Sequence, residues 1–162
     1  MPARSLPDGA ALLAREAAVR RPGTGLVAAD LHGCWQLEQV WPRGRSQPAS
    51  FSAALLRGLS ASLQIWDEDG QLRLRNRVSL GPLELCFEGP GWLRGARPLL
   101  MFRFQQLQLR LAGRTLLQRQ LPEPAPQRLP FFALIQRDPA GWLAARGRGG
   151  GLALWQLADP QP

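Results

Sequence analysis

The chain has no lysine, no tyrosine and a single histidine. Among its 162 residues there are only two cysteines, two isoleucines, two threonines and four valines. Two cysteines, Cys34 and Cys86, cannot build a disulfide scaffold or a four-cysteine zinc site. His32 alone excludes any centre that needs two imidazoles. No apolar run approaches the ~20 residues of a membrane-spanning helix. With lysine absent, all 20 basic residues are arginine. So uniform a choice reflects base composition as much as protein chemistry, and it argues nothing about guanidinium geometry at any one site. The shortage of β-branched residues weakens the usual strand signal, so alternation has to carry it.

What remains is 45% hydrophobic and 20% charged, with 20 basic against 12 acidic residues and a net charge of +8. This describes one folded domain with a real core. Asp8 is placed to cap a helix from Gly9 to Val19 that Pro22 and Gly23 stop. Leu12, Leu13, Glu16 and Val19 give it a short amphipathic pattern, which predicts packing on the C-terminal remainder of the domain rather than a transit peptide. From Leu31 the period becomes two. Cys34–Trp41 reads as a strand with Trp35, Leu37 and Gln39 on one face. Pro42–Ser50 reads as a loop and Phe51–Leu59 as a short helix or turn. Leu63–Trp66 is a strand, and Asp67-Glu68-Asp69-Gly70 a hairpin turn. Leu72, Leu74, Asn76 and Val78 then oppose Arg73, Arg75 and Arg77. After Gly81-Pro82, Leu83, Leu85 and Phe87 oppose Glu84, Cys86 and Glu88, so a hairpin would set arginines against glutamates. Glu88–Arg97, with Gly89-Pro90-Gly91, reads as a longer turn. Leu100, Phe102 and Phe104 share a face opposite Leu99, Met101 and Arg103. Leu107–Leu111 and Thr115–Leu121 are further strands, Pro122–Pro130 is a loop, and Phe131–Ile135, Trp142–Ala145 and Leu152–Leu157 complete the set. These are about eight to ten short strands in a mainly β, antiparallel barrel or sandwich.

Inventory removes most catalysis. A triad would depend on His32 with no nucleophile motif around any serine. His32 and Cys34 share a strand face, which a half-buried structural pair explains. Asp67, Glu68 and Asp69 fit a solvated turn. No phosphate-binding glycine loop opens a helix, and no cofactor is expected. Arg146-Gly147-Arg148-Gly149-Gly150-Gly151 admits an RNA-binding segment, a phosphate nest or a hairpin turn. Apolar strand residues on both sides favour the turn. Nucleic acid is the least favoured partner, because no aromatics interleave with the arginine face. An anionic membrane surface needs only charge and exposed apolar residues. The six tryptophans either pack a core or line a cavity.

Gly33-Cys34-Trp35 resembles the Gly-x-Trp that opens the first strand of lipocalins. Leu31-His32-Gly33-Cys34-Trp35-Gln36-Leu37, then Leu63-Gln64-Ile65, Asn76-Arg77-Val78 and Arg146–Leu154, are similar in order and spacing to the plastid-lipid-associated protein (fibrillin) family. The resemblance implies a lipocalin-like barrel over residues 31–158, preceded by a helix and linker over 1–30 and with a tail over 159–162. It implies a non-enzymatic protein, cytoplasmic and peripheral to thylakoids in a cyanobacterial cell, that binds an apolar molecule of the carotenoid, quinone or fatty-acid class. Gly33 would open the first strand, Trp35 would plug one end, and Arg146 would stack on it or cap it. Leu72, Leu74, Val78, Leu83, Leu85, Phe87, Leu100, Phe102 and Phe104 would line the interior. Asn76 would satisfy a backbone group or face the ligand. Arg103 would meet a ligand carboxylate if its face turns inward. Two other functions stay open: a bilin lyase-like barrel that pairs propionates with arginine, and a basic RNA-binding module.

Overall fold

The computed structural model of the chain describes residues 5–43 and 60–158. Phe51–Leu59 and most of the Pro42–Ser50 loop lie outside the described residues. Helix α1 spans Gly9–Val19, and the Asp8 carboxylate caps it by accepting the amide of Ala11 at 2.8 Å. Its buried stripe is narrower than the pattern predicts: Leu12 and Glu16 are buried, while Leu13 is exposed. A 3-10 turn over Ala28–Leu31 leads into the first strand.

The remainder forms ten strands: β1 (Gly33–Trp41), β2 (Ser60–Glu68), β3 (Gln71–Leu80), β4 (Leu83–Arg94), β5 (Leu99–Phe102), β6 (Gln106–Leu111), β7 (Arg114–Gln120), β8 (Phe131–Asp138), β9 (Trp142–Gly147) and β10 (Leu152–Leu157). Eight of them run in the order β3-β2-β1-β10-β9-β8-β5-β4, and a β3–β4 pairing closes the ring. The protein is thus a closed, antiparallel, lipocalin-like barrel with one short N-terminal helix. β6 and β7 lie outside the ring, β6 on the first half of β4 and β7 on β6.

Local chemistry accounts for the hairpins. Asp69 and Gly70 both have positive φ, as a two-residue hairpin turn with the right twist requires, and the Asp67 carboxylate accepts the Gly70 amide at 3.0 Å. Arg75 and Arg73 reach Glu88 at 2.8 and 3.2 Å, and Arg77 reaches Glu84 at 3.4 Å, so the expected arginine–glutamate facing across β3 and β4 forms. The Arg146–Gly151 run makes the turn between β9 and β10, closed by the Gly147 amide on the Gly151 carbonyl at 2.8 Å.

Two expectations are corrected. Most of Glu88–Arg97 is strand and not turn: β4 continues through Gly89-Pro90-Gly91 to Arg94, and the turn is confined to residues 95–98. Those glycines are there for a close approach, since a Cβ at residue 89 would lie 1.8 Å from the Arg103 carbonyl oxygen. Gln39 does not continue the face of Trp35 and Leu37. A bulge between Leu37 and Gln39 shifts the parity, so Val40 turns into the barrel and Trp41 out of it. A second bulge, between Leu134 and Gln136, keeps Leu134 in the inner core and Ile135 in the outer one, and sets Gln136 opposite Ala144 of the outer core.

The bulges help create two cores. One fills the barrel around Trp35, Ile65, Leu74 and Leu134. The other lies on its outer wall, where Leu12 of α1 packs on Trp41, Ile135, Trp142 and Leu154. The helix therefore packs on the barrel, as its pattern predicts. Gly89→Ala is expected to cost more than about 3 kcal/mol or to prevent folding, because the obstacle is backbone and cannot swing aside. A denaturant melt of the variant checks this; wild-type stability would refute the close approach.

Candidate functional site

Among the described residues, the barrel is solid at one end and hollow at the other. At the solid end Trp35 is fully buried and its indole N–H donates to the Leu31 carbonyl at 2.8 Å. Leu31, Ile65, Leu72, Leu74 and Leu100 pack in the same core. Gly33 begins β1 at φ +140, a conformation L side chains rarely adopt.

The hollow end holds a cavity of about 340 Å³. Small and medium side chains form one wall: Ala61 is the cross-strand partner of Val78, and Val40 that of Ala153. Facing them is a line of aromatic rings. Phe104 lies 5.1 Å from Phe102, Phe102 5.3 Å from Phe132, and Phe132 5.1 Å from Trp155 in an edge-to-face contact. Phe87 extends the line outside the cavity, 5.6 Å from Phe104. Among the described residues, no charged side chain lines the cavity. Its principal polar side chain is Asn76, paired in register with Leu63 and Phe87. No hydrogen bond joins the Asn76 amide to any other described residue.

Of the residues expected to line the site, the structure brings Asn76, Val78, Phe102 and Phe104 to the cavity. Trp35, Leu72, Leu74 and Leu100 belong to the packed end instead. Leu85 and Phe87 sit on β4, beyond the cavity wall. Leu83 is exposed. Arg103 points outward and pairs with Glu123, so it meets no ligand in the barrel. Phe132, Trp155 and Val40 also line the cavity, although the sequence pattern does not single them out. Phe132 was legible in the alternation Phe132–Leu134; Val40 was not, because the bulge before it leaves no mark in composition. The tryptophans divide: Trp155 lines the cavity, Trp35, Trp41 and Trp142 pack the two cores, and Trp66 carries the Arg75 guanidinium 5.2 Å from its ring centroid.

The expected Arg146–Trp35 stack is not formed. Arg137 takes that place, 5.4 Å from the Trp35 ring centroid, with its guanidinium donating to the Asp30 and Asp138 carbonyls. Arg146 comes after Ala145 on β9. Because Ala145 faces inward, Arg146 faces out, toward the helix. There it donates to the Glu16 carboxylate at 2.7 Å, and Arg97 reaches the same carboxylate at 2.9 Å. The Arg146 hydrogen bond holds the Glu16 carboxyl below the usual carboxylate range; burial opposes it and Arg97 adds to it. At Glu88, burial pushes the carboxyl up, but the hydrogen bonds from Arg75 and Arg73 outweigh it and hold it low.

Among the described residues no group of three or more His, Cys, Asp or Glu lies together as a metal site. No protein-family model and no curated protein matches the chain.

A carboxyl whose pKa is depressed in the folded state stabilises that state fully above the unfolded-state value of about 4.3, and the contribution fades as pH falls through the folded value. Glu16→Gln is therefore expected to lose about 2–3 kcal/mol at neutral pH. The gap from wild type should narrow steadily below about pH 4. Urea melts at several pH values measure both, and a gap independent of pH would show that the ion pairs do not hold α1 to the barrel.

Proposed function

We propose that this protein is a non-enzymatic barrel that binds an apolar small molecule or acyl chain in the cavity walled by Phe102, Phe104, Phe132 and Trp155. One observation carries the reading: among the described residues, one end of the barrel holds a cavity of about 340 Å³ lined almost wholly by apolar side chains. Filling that space with larger side chains would stabilise the fold by about 25 cal/mol for each Å² of apolar surface removed from water. The hollow is a cost that a ligand offsets.

The size narrows the ligand class. A volume of about 340 Å³ is at the small end of the range for small-molecule sites. It suits a single acyl chain or one substituted ring, of the fatty-acid or quinone class, better than a whole carotenoid. The aromatic wall gives broad contact with little rotamer entropy to lose, and Asn76 offers one amide to a carbonyl, carboxyl or hydroxyl head group. The resemblance to plastid-lipid-associated proteins supports the same reading and adds a setting beside photosynthetic membranes. Among the described residues, no helix is long and apolar enough to cross a membrane.

The test is a fluorescence titration of the full chain with a polyene fatty acid and, separately, with diphenylhexatriene, which has no polar head. Both should bind saturably at one site. Val78→Phe, which fills the cavity, should weaken both by about tenfold or more, the equivalent of about 1.4 kcal/mol. Phe102→Asp should abolish retention. Asn76→Leu should weaken the fatty acid by about 1 kcal/mol and leave diphenylhexatriene unchanged. Unchanged affinity in folded Val78→Phe and Phe102→Asp proteins would overturn the assignment.

A further inference from the structure

A second cleft, of about 190 Å³, lies outside the barrel between α1, the linker that follows it and β8. Residues three and four apart share a helix face, so Arg15, Ala18 and Val19 form one flank of α1 and one wall of the cleft. Thr24 and Leu26 supply the linker wall, and Ile135, Gln136 and Arg137 the barrel wall. The cleft shares no lining residue with the apolar cavity.

Its polar groups are left incomplete. The Gln136 side-chain N–H donates to the Asp138 carboxylate at 3.0 Å, which fixes which end of the amide is the oxygen. That oxygen, Oε1, is buried and accepts no hydrogen bond from any described residue. Burying an acceptor without a donor is costly. Among the described residues, Arg137 donates only to backbone carbonyls, of Asp30 at 3.3 Å and Asp138 at 2.7 Å. The carboxylates of those two residues are turned to other partners: Asp30 accepts the Val27 amide and Asp138 the Ala140 amide, each at 2.8 Å. Arg15 makes no ion pair or hydrogen bond among the described residues. The Thr24 hydroxyl oxygen accepts the Leu26 amide at 3.2 Å, and its proton stays free to donate. Arg15 alone would be an ordinary solvated side chain. The buried Gln136 oxygen on the barrel wall is what marks the cleft as a site.

We infer that this cleft binds a small organic acid bearing a hydroxyl group, with carboxylate oxygens on Arg15 and Arg137 and the hydroxyl donating to Gln136 Oε1. Two guanidiniums without a carboxylate partner call for an anion. An orphaned acceptor beside them calls for a donor on the same molecule. Val19, Leu26 and Ile135 give the carbon skeleton an apolar surface to lie on. The volume is below the range of drug-sized sites and is room for about six waters, so it suits an acid of a few carbons and not a nucleotide. The bound acid would bridge α1 to β8, adding a second tie to the one that Glu16 makes with Arg97 and Arg146.

The experiment is calorimetric titration of the full chain with malate, with succinate, which has the same skeleton without the hydroxyl, and with inorganic phosphate. Malate should bind at one site and raise the melting temperature. Succinate should bind about tenfold more weakly, because it leaves Gln136 Oε1 unpaired. Arg15→Gln should weaken both acids about tenfold. Arg15 is exposed, so the melt of that variant without ligand should match wild type. Gln136→Leu should bring malate and succinate to the same affinity. No binding of malate at about 10 mM would overturn the site. So would malate affinity unchanged in Arg15→Gln, whether or not Gln136→Leu folds. Equal affinity of the wild-type chain for malate and succinate would overturn the hydroxyl assignment. Phosphate binding as tightly as malate would overturn the organic acid and assign the cleft to free phosphate.

Discussion

A methyl group on residue 89 would lie 1.8 Å from the carbonyl oxygen of Arg103, and one on residue 91 would lie 2.2 Å from the Leu74 side chain. Only glycine lets β4 run this close to its neighbours, and the rest of the architecture depends on that run. Opposite Gly89 and Pro90 the partner chain stays bonded to β4 through the Arg103 and Gln105 amides, but it is no longer regular strand. β5 and β6 are consequently two pieces of one bent partner, both held by β4. Before the bend, β5 takes β8 on its free side and completes the barrel. After it, β6 takes β7 and leaves the barrel as an apron. The aromatic rings of Phe102 and Phe104 flank this bend, so the device that splits barrel from apron also sets the cavity's wall.

The same molecule separates its charges from its hollow. Among the described residues, the cavity has an amide and no charge, whereas arginines are engaged elsewhere: on Glu88 and Glu84 across β3–β4, on Glu16 beneath the helix, and on the Trp35 and Trp66 rings. A charge inside would favour a charged ligand and carry a large desolvation cost when empty. An amide costs less and still discriminates by hydrogen bonding. On the proposed reading, a ligand is selected by shape and apolar area, and its head group by the Asn76 amide.

Much of the fold was legible in residues. The Asp8 cap, the Asp69-Gly70 turn, the arginine–glutamate ladder of β3 and β4, and the glycine-rich turn after β9 all come from local chemistry. What was hidden came from parity and from long range. A bulge adds one residue without changing composition, so nothing distinguished Val40, which faces the cavity, from Trp41, which lies under the helix. Gly89-Pro90-Gly91 resembles a turn because a glycine needed for close approach cannot be told from one needed for a bend until its neighbour is known. The resemblance pointed to Arg146 as the partner of Trp35, and nothing in the sequence pointed to Arg137. Glu16, 130 residues away from Arg146, decides between them. For the site, alternation identified Asn76, Val78, Phe102 and Phe104. Where the solid core ends and the hollow begins along those strands depends on the summed volumes of facing side chains, which no single strand contains.

The central claim is that the hollow end of the barrel is a binding site. The most direct test is a crystal structure of the full chain with a fatty acid brominated near its terminal carbon, located by anomalous scattering. The account places the bromine inside the barrel against the ring of Phe102 or Phe132, with the head group toward Asn76. Bromine found only on the outer surface, or an interior without it at saturating fatty acid, would contradict the account.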